Sequence, residues 1–134
     1  MKVGIANPDT AAIGKVVRSH LSQIGEWDAL ARHLAAQFSS VTDSANAAQI
    51  GSIDAAIVWD SVAANYPDLS VVLVPELHGA IGRVELAVLA SSPDPGEAIK
   101  FARYIAASDR GLVQFRRFGF TDVEMGKPWG ESEP

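Results

Sequence analysis

Three blocks of this chain set up chemistry through the main chain rather than through side chains: IANPDTAAIG at residues 5–14, VTDSANAAQIG at 41–51 and DAAIVWDSVA at 54–63. Each belongs to a junction where a strand turns into a helix. Two of the junctions leave free backbone N–H groups at a helix start, where an anion can sit without any catalytic group. Side-chain chemistry has much less to work with. His20, His33 and His78 lack ligand-like spacing, there is no H-E-x-x-H string, and no carboxylate set accompanies them, so no metal site is expected. The chain has no cysteine, which removes disulfides, thiolate nucleophiles and Cys-based zinc. No G-x-S-x-G elbow, G-x-G-x-x-G or P-loop string occurs, and the acidic residues are scattered rather than paired. The pattern points to binding and not to an enzyme.

At 134 residues the chain has the length of one domain or one lobe. Its formal net charge of −5 argues against nucleic acid as a partner, because phosphate binding needs clustered Lys and Arg. Arg116 and Arg117 are the nearest approach to such a cluster and fit the solvated face of a helix. The apolar runs are too short to cross a bilayer. The opening MKVGIANPDT carries no signal peptide, so the expectation is a cytosolic chain or a secretory leader upstream.

These junctions need elements to hold them. Residues 2–6 read as a buried strand ended by the Asn7-Pro8-Asp9 turn. Ile13, Val16, Val17, Leu21 and Ile24 then recur on one face of a helix over 11–24, stopped by Gly25. A second helix is predicted over 26–36, burying Trp27, Leu30 and Leu34. Residues 38–41 read as a strand feeding a helix capped by Thr42 or Asp43, with Ala45, Ala48 and Ile50 towards the core and an end near Gly51. Residues 55–59 form a strand covered on both faces, since no polar residue alternates through it. A short helix over 61–65, a strand over 71–74, a loop over 75–82 and a long edge strand over 84–90 follow. Two helices, 97–107 and 109–118, close the pattern, the second ended by Gly119. Strands alternating with helices at this spacing imply a three-layer α/β sheet with right-handed crossovers.

In this order the blocks IANPDTAAIGKV, IGEWDAL, the helix start after Val41, DAAIVWDSVA and AIKFARYIAASDRGLVQFRRFGF resemble the second half of periplasmic molybdate and tungstate binding proteins. Those proteins are members of the two-lobed type II solute-binding family, and the resemblance spans residues 2–120. It implies a three-layer αβα lobe with carboxyl-terminal helices that normally belong to the other lobe. Residues 1–120 would form the lobe with its closing helices, and 121–134 a flexible tail. In the family an oxyanion lies between two lobes, held by backbone amides and hydroxyls without a cofactor or balancing cation. The matching positions are Ile13 and Val41, acting through their amides, unless both are simply core residues at helix starts. Trp59 stands where the family shows a tyrosine that reaches the anion; it is either a cleft wall or core packing. Asp60 is expected to cap the next helix with Ser61, while Asn7 and Asp9 form the turn.

The stretch that builds most of the family's first lobe does not precede these blocks. The closing helices must then fold back, pair with a second copy, or leave Phe101, Ile105, Leu112 and Phe115 exposed. A homodimer is the expected outcome. The resemblance therefore implies a periplasmic solute-binding domain for molybdate or tungstate, truncated to one lobe and serving an ABC-type permease. The alternative is a ligand-sensing or dimerising domain of a regulator with little or no anion affinity.

Overall fold

The small and branched residues Val3–Ala6 form strand β1, the middle strand of a three-stranded parallel sheet with order β2-β1-β3. Its neighbours are β2 (Leu34–Phe38) and β3 (Ala55–Ile57). This architecture comes from a computed structural model, which describes residues 1–120 and 126–131. The chain divides into two units, Met1–Arg83 and Val84–Pro134. The first is the expected mixed α/β lobe, its parallel sheet flanked by helices.

Helices α1 (Ala12–Gln23) and α2 (Trp27–Ala31) connect β1 to β2, and α3 (Val41–Gln49) carries the chain back past β1 to β3. Right-handed crossovers running in opposite directions place α1 and α3 on opposite faces. Ile5 is fully buried and packs with Ile13, Val17 and Leu21 of α1, while Trp27, Leu30, Leu34 and Ile57 close around them. Each of the fully buried side chains Ile5, Ile13, Val17 and Leu21 contributes roughly 1.5–3 kcal/mol on burial. On the α3 side Ser44, Ala45 and Ala47 are buried, and the Ser44 hydroxyl is satisfied by the carbonyl of Ser40 at 3.2 Å. Gly4 admits the Phe38 ring and the Ile53 side chain, for a Cβ there would stand 2.7 Å from each. Helix α4 (Asp60–Ala63) follows β3, and Pro75–Leu77 make one 3-10 turn.

Four expectations need correction. The helix predicted over 26–36 stops at Ala31, and Leu34–Phe38 is a strand whose residues alternate between half-buried and exposed. His33 donates its amide to the carbonyl of Leu30 and ends the helical turn, so Leu34 packs from a strand instead of from a helix face. The strand predicted over 38–41 is correspondingly shifted, and Val41 is already helical. The cap is neither Thr42 nor Asp43 but Ser40, and Ile50 is 79% exposed, with Ala47 taking the core position. Residues 71–74 and 84–90 form no strand. Their amides meet no acceptor among the described residues, because a strand needs a partner and no local signal supplies one.

In the second unit Asp94 caps α5 (Pro95–Ala106) by accepting the Glu97 amide at 3.0 Å, and Pro95 takes the position where its missing N–H costs nothing. Helix α6 (Gly111–Arg117) begins at a glycine whose absent Cβ lets it abut the backbone of Ile105. Only Ala107 and Gly111 are buried among the described residues of this unit. Phe101 is 63% exposed and Phe118 60% exposed. Of the predicted tail, 121–125 and 132–134 lie outside the described residues. Trp129 sets its ring edge-on to Tyr104 at 5.4 Å and donates its amide to Asp109 at 2.8 Å.

The tightest approach to backbone atoms in the first unit is at Gly14, where a Cβ would strike the carbonyl oxygens of Ala6 and Asn7. Backbone atoms cannot swing aside as a side chain does. Gly14→Ala is expected to destabilise the lobe by about 1–3 kcal/mol, read as a lower urea midpoint at unchanged slope.

Candidate functional site

Parallel pairing puts the carboxyl ends of β1, β2 and β3 at one edge of the sheet, and a helix starts directly after each. Connections from β1 and β2 leave to opposite faces, so the topological switch point falls between β1 and β3. Ligands in open α/β sheets enter at such a point.

The turn after β1 consumes its own donors early and leaves later ones bare. The Asn7 side-chain oxygen accepts the amides of Asp9 at 2.8 Å and Thr10 at 3.2 Å, while the Asn7 carbonyl accepts that of Ala11 at 2.9 Å. The first intrahelical bond runs from the Lys15 amide to the Ala11 carbonyl. Between them, the amides of Ala12, Ile13 and Gly14 have no acceptor among the described residues, and no side chain caps the helix. No acidic residue occupies the first turn of α1. The nearby Asp9 carboxylate is engaged by Arg18 at 2.5 Å, and that guanidinium also lies 5.7 Å from the Trp27 ring centroid. The start of α1 is thus a cluster of convergent donors on the positive end of a 12-residue helix.

The start of α3 differs. Ser40 accepts the Asp43 amide at 3.1 Å, and the Ser39 hydroxyl donates to the Asp43 carboxylate at 2.6 Å. Val41 and Thr42 keep free amides, but a carboxylate shares their turn. The Ser39 hydroxyl first, and the Ser40 hydroxyl after it, hold the Asp43 carboxyl below its ordinary range; desolvation opposes them weakly. At α4 the Asp60 carboxylate accepts the Ser61 amide at 2.8 Å, so that turn is self-occupied.

Ile13, Val41 and Trp59 come together through their side chains. Ile13 is buried, and half-buried Val41 and Trp59 pack against the cluster it shares with Ile5. The Ile13 side chain is core, whereas Val41 and Trp59 keep part of their surface accessible just past the ends of β2 and β3. Sequence reasoning missed Ala12, Gly14 and Thr42 as donors, and Ser40 as the cap. The S-x-x-D spacing of Ser40 and Asp43 was the available signal for the cap. Among the described residues no three His, Asp or Glu side chains gather at metal-binding distance.

A family model described as bacterial extracellular solute-binding protein matches residues 1–121. No curated protein and no solved structure matches the chain.

Because the Asp43 carboxyl titrates lower in the folded chain than in the unfolded one, its stabilising contribution is present above the unfolded value and lost as pH falls through the folded value. That window lies below about pH 4. Ser39→Ala should move the Asp43 titration in carboxyl-detected NMR back up towards the ordinary carboxylate value. An unchanged titration would show that the Ser39 contact is not its cause.

Proposed function

The chain belongs to the bacterial extracellular solute-binding protein family, and from that premise we propose that it binds a small oxyanion of the molybdate or tungstate kind for an ABC-type uptake system. The site is the sheet edge where α1 begins, with Ile13 and Val41 donating through their amides and Trp59 forming a wall. The observation that carries this reading is the row of bare amides at Ala12, Ile13 and Gly14 beside the strand ends. An anion there gains hydrogen bonds and the field of a helix end at once, roughly 0.3–2 kcal/mol from the dipole alone. Thr42 adds a further donor next to Val41. Binding by fixed main-chain dipoles needs no counter-cation and no protonation step, so it suits a carrier that must release its cargo unchanged.

The family's extracellular description supports a location outside the cytoplasm, and among the described residues no helix is long and apolar enough to cross a membrane. Its partners in this reading are the anion, a membrane permease and a second copy of the chain. The second unit supports the last of these, for Leu89, Phe101, Tyr104, Val113 and Phe118 are all exposed. So large an apolar surface favours association.

Calorimetric titration should give heat with molybdate or tungstate and none with sulfate; silence for all three would sink the oxyanion reading in favour of a dimerising module. Ala12→Pro and Val41→Pro each delete one amide at the first helical position, where proline is tolerated and where Ala11 and Ser40 already have extended ψ of 141° and 163°. Each should weaken the anion by roughly 2- to 30-fold with little loss of helix, as seen by circular dichroism. In sedimentation velocity the chain should run as a dimer at micromolar concentration, and Phe101→Glu should return it to monomer.

A further inference from the structure

Gly79 and Gly82 are not glycines for the sake of backbone freedom. The described glycines with left-handed φ are Gly25, Gly51 and Gly119. What these two lack is room. A Cβ at Gly82 would stand 2.7 Å from Cη2 and 3.1 Å from Cζ3 of Trp59, and one at Gly79 would strike the His20 ring, 2.8 Å from its Nδ1. Residues 75–82 are therefore held between two rings, one from α1 and one from the end of β3. His20 donates through Nε2 to the Glu76 carbonyl at 3.0 Å, fixing the α1 side of the segment. Leu77 and Ala80 pack against the Ile5 cluster, and turn bonds from Leu77 to Val74, His78 to Pro75 and Ala80 to Leu77 shorten the span.

From this geometry we infer that residues 75–82 are a seat that fixes the Trp59 indole, and that Gly82 is a positioning residue for the anion end of the lobe. The inference rests on the solute-binding reading. Trp59 lies two residues past the end of β3 at Ile57 and is the N-cap of α4, next to the strand end from which α1 departs. With Cη2, Cζ3 and Cζ2 of the ring against Gly82, the six-membered end of the indole is held on that side, and the ring's position sets how large an anion the neighbouring amides can admit. The indole also carries a single N–H donor whose direction is fixed with the ring. A side chain at position 82 would push the ring off its seat and change both the size limit and the donor.

The test is a double-substitution cycle with two readouts. In the chain labelled with 5-fluorotryptophan, which gives three fluorine resonances, Gly82→Ala should shift the Trp59 signal. Gly130→Ala, with nothing but its chain neighbours within 4 Å of its Cβ, should leave the Trp59 resonance unmoved. In molybdate titrations Gly82→Ala should lower affinity by about 3- to 10-fold in the natural background and have no further effect in Trp59→Phe, which lacks the atoms that the new methyl strikes. An unmoved Trp59 resonance, or equal losses in both backgrounds, overturns the seat. Absence of molybdate binding by the unsubstituted chain overturns the solute reading instead, and the fluorine shift still decides the seat.

Discussion

The close packing of α1 on the end of β1 governs the rest of the first unit. Gly14 has no side chain, so the helix can press its first turn against the carbonyls of Ala6 and Asn7. Asn7 makes the connection short by folding its side chain back onto two amides of the turn. Because the turn is so compact, the next three amides emerge at the strand edge instead of out in solvent, and Ile13 reaches Ile5 in the core. One steric vacancy thus fixes both the packing of the helix and the exposure of its donors.

Helices α1 and α3 begin at the same edge, but they are not equivalent. Helix α3 brings its own cap and its own carboxylate, and the hydroxyls of Ser39 and Ser40 keep that carboxylate ionised. Helix α1 brings neither. A negative solute would therefore meet a bare positive end on one side and a partly neutralised one on the other. The geometry of amides alone would have ranked the two equally; the carboxylate separates them.

Much of this was legible in the amino-acid order, and the failures have a common cause. Strand β1, helix α1 and the stop at Gly25 follow from spacing and backbone preference that act within a few residues. So do α3, α5 and α6, to within one or two positions except at the caps. Leu34 was misplaced because a five-residue strand with Ala35 and Ala36 in it carries too little alternation to outweigh the helical spacing from Trp27 and Leu30. Residues 71–74 and 84–90 looked like strands by composition, yet pairing is decided by distant partners. At the site, the proline turn announced the helix start, whereas the free state of each amide depends on which neighbours take the other donors. The ring seats at Gly79 and Gly82 were invisible, since nothing local links position 82 to position 59.

The bare run at 71–74, Val-Val-Leu-Val, carries side chains between 41% and 80% exposed. Four branched residues with unused amides are the kind of stretch from which cross-β stacking grows. Pro67 and Asp68 precede it and Pro75 and Glu76 follow, and a proline cannot donate to a growing fibril while a buried carboxylate opposes it. These flanking residues act as gatekeepers, confining an aggregation-prone tetrapeptide that would otherwise template its neighbours in concentrated solution.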